Sequence, residues 1–461
     1  MKNYLYVLLF LLATNLVLNG TSFYMGLGRP IINIDYLLIL ILSFYKRSYI
    51  TAILLFIFLF IFYSIDILLL ALQIFPFVRL TDILYLSNFV FNGPILYRII
   101  LLALIIHFII IFFIIRDFFL IRIKLNFSEF IVLIFLVLMF LFTKHLLNPI
   151  EKDHVYARFE KSVYGSQLLF FVKYQNSSLV ESVRGEPTTL EPNRFKYATQ
   201  PLLEQLNNNQ KELSNKILLI VNESWGETSK TQHQDTIVSP IYNLKKNLKY
   251  IHRGSFNFVG ATVAGELREL CNLQPTTFNL KESKAKDYKG CIPNLLKNKG
   301  YDTHTIHGAM SIMYDRKYWY PMAGFNKMSF YEDLKTVGTC KSFSGRCDIE
   351  LLPYVQENLL SQKKSFVYWL TLNTHAPYDD KVVIEGLNCK VLSVKEGSET
   401  CNNYKLQYQF FSSITELIKN PKMSGLEVYI VGDHSPPIFN LSDNFFSFKG
   451  SEVAWIHFKI K

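Results

Sequence analysis

The feature that most limits how this chain can fold is a set of five apolar stretches in its first 150 residues: Tyr4–Leu18, Ile31–Phe44, Ile50–Phe75, Ile99–Leu120 and Phe130–Leu147. The third and fourth exceed the ~20 apolar residues a helix needs to cross a bilayer, while the first two are short and need flanking residues to span. Residues 1–150 hold only 10 Lys/Arg and 5 Asp/Glu, against 38 and 32 in the rest of the chain. The sequence thus predicts a helical membrane domain followed by a soluble domain of ordinary charge. A signal peptide, with Lys2 ahead of an apolar run, accounts for the first stretch alone and leaves four unexplained. The net charge of +11 is shared almost evenly between the two parts, so no single basic patch points to nucleic acid.

Basic residues in short loops set the orientation of such a domain. With the N-terminus inside, Lys2, Lys46, Arg47 and the Arg116/Arg122/Lys124 cluster fall on the cytoplasmic side, and Arg29, Arg79 and Arg98 fall outside. Five spans then place everything after about residue 148 outside the cytoplasm. Asp66 and His107 lie within spans, where ionisable groups face the bundle interior. A structural hydrogen bond is the expected role of His107, with a proton relay as the alternative. All six cysteines, Cys271, Cys291, Cys340, Cys347, Cys389 and Cys401, lie in the second part. An even count in an exported domain suggests disulfides, and six cysteines allow 15 pairings. Sequential pairing (271–291, 340–347, 389–401) is the simplest, and no C-x-x-C pair argues for a zinc cluster. The implied compartment is oxidising, as in a periplasm.

Residues 149–214 are polar and mixed and read as a connector with short helices, leaving 215–461 as the second domain. From Lys216 the chain alternates apolar runs of strand length, Lys216–Val221, Tyr301–Ile306, Ser365–Leu372 and Leu426–Val431, with helical segments such as Ile292–Asn298 and Ile349–Gln362. Such alternation predicts an α/β fold with a mainly parallel central sheet. Each run is followed by chemistry: Glu223, then His307-Gly308, then Thr374-His375-Ala376-Pro377-Tyr378, then Gly432-Asp433-His434. Taken singly, each is as well explained as a loop residue or a helix cap. Four together at the carboxyl ends of parallel strands mark the edge where such sheets build their sites. Glu223, Asp433 and His434 offer two hard oxygens and an imidazole, a set suited to Zn²⁺ or Mn²⁺. Between Glu223 and His307, Gly260-Ala261-Thr262 would open a helix and present a hydroxyl beside backbone N–H groups, an anion-binding arrangement. Metal coordination would make Thr262 an alkoxide nucleophile; otherwise it is a helix N-cap.

In this order, strand–Glu, Gly-x-Thr, His-Gly with a downstream Arg, T-H-x-P-Y and G-D-H, the chain resembles the membrane-bound sulfatase-like branch of the alkaline phosphatase superfamily. Its relevant members are lipoteichoic acid synthases and lipid A phosphoethanolamine transferases. The resemblance covers both parts of the chain and implies about five transmembrane helices, a connector and an extracytoplasmic alkaline-phosphatase-like catalytic domain. It implies that Glu223, Thr262, Asp433 and His434 form the metal shell with Thr262 as nucleophile. It also implies that His307, Tyr314, Arg316 and His375 hold the substrate phosphate, Tyr314 keeping the aromatic two residues ahead of the Arg. The further His that phosphoethanolamine transferases carry after the Asp-His pair has no clear counterpart, since His457 sits in a terminal strand-like run. Sulfate ester hydrolysis is not expected, because Cys291-Ile292-Pro293-Asn294-Leu295 lacks the final Arg of C/S-x-P-x-R.

The implied activity is metal-dependent transfer of phosphoethanolamine or phosphoglycerol from a membrane phospholipid, phosphatidylethanolamine or phosphatidylglycerol, to an envelope glycan or lipid A through a phospho-threonine. The implied location is the bacterial inner membrane, multi-pass, with the catalytic domain in the periplasm. A membrane-anchored phosphodiesterase using water as acceptor is the alternative. A non-catalytic envelope scaffold would be expected to lack at least one of Glu223, Thr262, Asp433 and His434, and all four are present.

Overall fold

From Tyr49 to Ile74 the sequence carries one charged side chain, Asp66, and neither glycine nor proline, so the backbone satisfies its own hydrogen bonds as a helix. The computed structural model describes residues 2–24, 29–45, 48–74, 95–120, 126–147, 163–173, 188–208, 213–258, 260–376, 378, 386–438 and 447–461. Five helices cover all or most of the five apolar stretches: α1 (Lys2–Tyr24), α2 (Asp35–Tyr45), α3 (Tyr49–Ile74), α4 (Ile95–Leu120) and α5 (Phe127–Leu147). Among the described residues, two windows, Tyr49–Ala71 and Arg98–Arg116, are long and apolar enough to cross a membrane, and Asp35–Phe44 and Phe127–Met139 are shorter apolar helices. Large apolar side chains such as Phe60, Ile106, Ile110 and Phe135 face outward along these helices. The orienting residues Lys46, Arg47, Arg79, Arg122 and Lys124 lie outside the described residues, as do Val259 and Pro377.

The buried ionisable groups of this part are paired. Asp66 takes a 2.7 Å ion pair from Arg29 and further hydrogen bonds from Asn33 (3.0 Å), Tyr36 (3.2 Å) and Gln167 (3.3 Å). His107 lies 2.9 Å from the Tyr63 hydroxyl through Nδ1 and 2.7 Å from the Ala13 carbonyl oxygen through Nε2. Both ring nitrogens are therefore engaged, which is the structural role.

By its contacts the chain divides into Met1–Gly185 and Glu186–Lys461, a boundary inside the stretch read as a connector. The second unit is built on an eight-stranded sheet of β1 (Lys216–Asn222), β2 (Gly226–Thr228), β3 (Leu248–Asn257), β4 (Asp302–His307), β5 (Lys327–Ser329), β6 (Ser365–Leu370), β7 (Glu427–Gly432) and β8 (Phe448–Ile460), ordered β2-β8-β7-β1-β6-β4-β5 with β3 also paired to β8. Its helices include α6 (Thr231–Tyr242), α7 (Thr262–Cys271), α8 (Ile292–Asn298), α9 (Arg316–Ala323), α10 (Asp348–Leu360) and α11 (Glu399–Lys419). The strands β7, β1, β6, β4 and β5 run parallel, and the core residues of β1, β6 and β7 are buried, as near-continuous apolar runs predict.

The sheet is mixed: five parallel strands carry an antiparallel portion at one side. Strand β8 runs antiparallel to β7 and carries β2 and β3 antiparallel on its other side. Along β8, Lys449, Gly450 and Ser451 are exposed and Glu452 is half-buried, while Val453, Ala454, Ile456, His457 and Phe458 are buried. The disulfides are Cys271–Cys291, Cys340–Cys347 and Cys389–Cys401, the sequential pairing.

At the amino end of β7, Glu427 accepts hydrogen bonds from His457 (3.0 Å), Tyr250 (3.0 Å), Tyr429 (2.9 Å) and Ser214 (2.5 Å). Burial alone would raise its pKa, but the bonds from His457, Ser214 and Tyr429 outweigh it and hold the carboxyl at about 2. The folded value lies below the unfolded one, so the stabilisation is present above about pH 4.5 and is lost as pH falls toward 2. It is worth on the order of 3 kcal/mol. Melting of the full-length protein in detergent should fall steeply between pH 5 and 3. Glu427→Gln should start lower and flatten that fall, and an unchanged acid slope would remove Glu427 as its source.

Candidate active site

Register decides which loops meet. Leu370 of β6 sits opposite both Val221 of β1 and His307 of β4, and Gly432 of β7 sits opposite Asn222. The four carboxyl ends are thus level, and the residues that follow them emerge at one edge of the sheet. Two glycines let neighbouring segments close on this edge. A Cβ on Gly432 would stand 2.0 Å from the Trp225 carbonyl oxygen, and one on Gly265 of α7 would stand 2.8 Å from Cβ of Asp433. Helix α7 therefore packs its first turns directly against the Asp433 turn.

Thr262 is the first residue of α7, with Ala261 at the cap position. Its Oγ1 lies 3.4 Å from Glu223 Oε2. His434 Nε2 lies 3.1 Å from Glu223 Oε1 and 3.3 Å from Asp433 Oδ2. Asp433 Oδ1 accepts the backbone N–H groups of Ser224 (2.8 Å) and His434 (2.7 Å), while the buried Oδ2 has no hydrogen-bond partner among the described residues. His375 joins this group: one ligand atom each from Glu223, His375 and His434 lie within 4.8 Å of one another. The imidazoles are held by their other nitrogens. Nδ1 of His434 donates to the Ser435 carbonyl (2.8 Å) and Nδ1 of His375 to the Ala376 carbonyl (2.6 Å), which turns both Nε2 atoms inward.

The electrostatics are those of crowded carboxylates. Burial and then the charge of Asp433 push Glu223 up to about 8. Burial works against protonation of His434, but Asp433 and Glu223 outweigh it and raise it to about 10. Burial and then His434 hold His375 down at about 4. Bound protons offset the negative charge of this group, and a divalent cation in the same place would displace them. A buried carboxylate oxygen without a hydrogen bond, a second carboxylate and imidazole nitrogens beside them fit Zn²⁺ or Mn²⁺.

Arg316, His307 and Tyr314 form a neighbouring buried group. Arg316 places Nε and Nη2 on Glu266 at 3.1 and 2.9 Å, and Nη1 lies 3.2 Å from His307 Nε2. His307 Nδ1 donates to the Leu370 carbonyl (2.9 Å), and burial followed by the Arg316 charge keeps this imidazole neutral. Tyr314 and Asp315 both adopt left-handed backbone (φ 53° and 57°), and the Tyr314 ring lies 5.2 Å from the guanidinium carbon. His457 is elsewhere, opposite Tyr429 and bonded to Glu427 at the far end of β7, and Ser255 bonds Glu452 on β8.

The residues that sequence reasoning missed are those that hold the ligands. Thr371 Oγ1 accepts the Glu223 N–H (2.8 Å), and Thr374 Oγ1 donates to the Glu223 carbonyl (2.5 Å). Gln407 Nε2 donates to the carbonyls of Glu223 and Ser224, both at 3.2 Å, and Arg268 Nη2 to that of Gly432 (2.7 Å). Asp348 Oδ2 accepts the N–H groups of Leu372 and Asn373, fixing the turn that leads to His375. Gly265→Ala tests the closeness of α7 to Asp433. It should cost about 1–3 kcal/mol by overpacking, and should lower zinc affinity roughly 10–100-fold, as displaced supporting groups do. Calorimetric zinc titration showing wild-type affinity would mean that Asp433 can move without consequence.

Residues 196–392 match the sulfatase family model. No curated protein is a significant match to the sequence. Among solved structures, the chain is similar to the lipoteichoic acid synthase LtaP of Listeria monocytogenes (14% identity, TM-score 0.39, 55% of this chain and 71% of that one). It is also similar to the phosphoglycerol transferase GacH of Streptococcus pyogenes in complex with sn-glycerol-1-phosphate (17% identity, TM-score 0.38, 56% and 72%). The lipooligosaccharide phosphoethanolamine transferase EptA of Neisseria meningitidis, an integral membrane protein, matches 78% of this chain and 68% of its own (12% identity, TM-score 0.39).

Proposed function

We propose that this protein transfers a phosphoethanolamine or phosphoglycerol group from phosphatidylethanolamine or phosphatidylglycerol to an envelope glycan or lipid A. The observation that carries the reading is the meeting of the Thr262 hydroxyl with Glu223, Asp433 and His434 at one edge of the sheet. A divalent metal, Zn²⁺ or Mn²⁺, held by Glu223, Thr262, Asp433 and His434 with His375 beside them, would acidify the hydroxyl and neutralise phosphoryl charge. Thr262 Oγ attacks the phosphorus of the donor, the P–O bond to diacylglycerol breaks, and diacylglycerol leaves with a proton. The headgroup is then carried as a phosphodiester on Thr262. An acceptor hydroxyl or phosphate attacks that phosphorus and returns the threonine. Tyr314, Arg316 and His307 hold the phosphate, with the charge of Arg316 as the principal attraction. Five membrane spans in a bacterial inner membrane, with the sulfatase domain in the periplasm, bring the site to lipid-borne donor and acceptor. The apolar helices and three disulfides support this placement.

The test uses the full-length protein with headgroup-labelled phospholipid and a mixed envelope glycan and lipid A fraction. Label on a glycan or on lipid A, with diacylglycerol released in equal amount, is the expected result. Label released only as free phosphoethanolamine or phosphoglycerol would make the protein a phosphodiesterase instead.

A further inference from the structure

Glu266 stands one helical turn after Thr262 on α7, wholly buried, and nothing in the reaction proposed above uses it. Its carboxylate accepts from Arg316 Nε (3.1 and 3.2 Å), Arg316 Nη2 (2.9 Å), the Tyr368 hydroxyl (3.2 Å) and the Tyr320 hydroxyl. Arg316 is equally buried, and its remaining nitrogen, Nη1, points to the neutral His307. A buried ion pair of this kind is a weak device for stability, because well-packed apolar residues do as well or better. Geometry is what it secures. A guanidinium presents five N–H groups on separate edges, and an edge engaged by one carboxylate fixes where the others face. Glu266 holds the Nε side and His307 one N–H of Nη1, so the remaining N–H groups of Nη1 and Nη2, on the far edge, are left to meet a ligand.

We propose that Glu266 is a positioning residue that sets the far edge of Arg316, beside His307, for a phosphoryl oxygen. Because Thr262 and Glu266 ride on the same rigid helix, the phosphate anchor and the nucleophile are held at a fixed offset. Tyr320 and Tyr368 complete the cradle by fixing the carboxylate. The inference rests on the transferase reading only in taking the ligand of Arg316 to be a phosphoryl group.

The test compares wild type, Glu266→Gln, Arg316→Lys and the double variant, full-length and zinc-loaded in detergent. Inorganic phosphate binding is read by calorimetry and headgroup transfer by kcat and KM. Glu266→Gln should keep its zinc and lose phosphate affinity roughly tenfold or more, the size expected for a charge-assisted hydrogen bond. The double variant should bind no worse than Arg316→Lys alone, since both changes break one unit. If Glu266→Gln does not fold, Tyr368→Phe removes a donor from the carboxylate and keeps the ring, and it should weaken phosphate binding several-fold with zinc affinity unchanged. Wild-type phosphate affinity in Glu266→Gln or in Tyr368→Phe, additive losses in the double variant, or no phosphate binding by wild type would each overturn the proposal. A wild type that binds phosphate and loses it in Glu266→Gln, yet transfers no headgroup, would sustain the role of Glu266 and defeat the transferase reading.

Discussion

Thr262→Ala protein folds, binds zinc and transfers nothing. The expected loss is complete, because the substitution removes the atom that carries the group between the two half-reactions. The fold tolerates it. Ala261 occupies the cap position of α7, and no side-chain capping bond forms there, so the hydroxyl is not holding the helix start. Its contact with Glu223 is long, 3.4 Å, so the stability cost should stay within the ~0.5–1.5 kcal/mol of an ordinary hydrogen bond. Glu223, Asp433, His434 and His375 remain to bind metal. Thr262→Ser keeps the hydroxyl and should keep part of the turnover. Transfer by the alanine protein at a measurable fraction of wild type would assign the chemistry to another group. Ser224, whose Oγ lies 3.3 Å from Glu223, would then be the first to examine.

Asp433→Asn should be nearly as damaging, by a different route. The amide keeps an oxygen for the N–H groups of Ser224 and His434, so the turn after β7 stays closed. What changes is the unpartnered Oδ2, which becomes an N–H₂ donor pointing among the groups that would bind a cation. Zinc affinity should fall by more than ~100-fold, beyond the 10–100-fold typical of supporting residues. Turnover should vanish with it. Stripping the wild type with a chelator should reproduce the loss, and added zinc or manganese should restore wild type but not the variant. Equal zinc affinity in the two proteins, read by competition with a chromogenic chelator, would separate Asp433 from metal binding.

Much of this site is legible in the chain because parallel strands buried on both faces must be near-continuous apolar runs. Lys216–Val221 and Ser365–Leu370 announce themselves in that way, and the residues just beyond them inherit a known position in the fold. Glu223, His307 and Asp433 were found by that route. The position of His375 beside Glu223 and His434 was not, since sequence gives order along a strand end but not the reach of a side chain across it. Strand β3 was missed for a physical reason: its mixture of lysine, serine, histidine and aromatic residues reads as surface until its pairing with β8 is seen. Glu266 and Arg268 sit in Val263-Ala264-Gly265-Glu266-Leu267-Arg268, which looks like the charged face of a solvated helix. Only packing on all sides turns those charges into internal partners of Arg316 and of the Gly432 carbonyl. Gly265 likewise looks like a weak point of a helix, and its purpose is visible only in the closeness of Asp433.

The most direct test of the account is intact-mass analysis of the zinc-loaded wild-type protein after incubation with phosphatidylethanolamine or phosphatidylglycerol and no acceptor, followed by peptide mapping. The account predicts a single added phosphoethanolamine or phosphoglycerol group, localised to Thr262, which disappears when acceptor is supplied and never forms on Thr262→Ala. An adduct on Ser224 or Ser255, or turnover to acceptor with no adduct on Thr262 at any time, would contradict it.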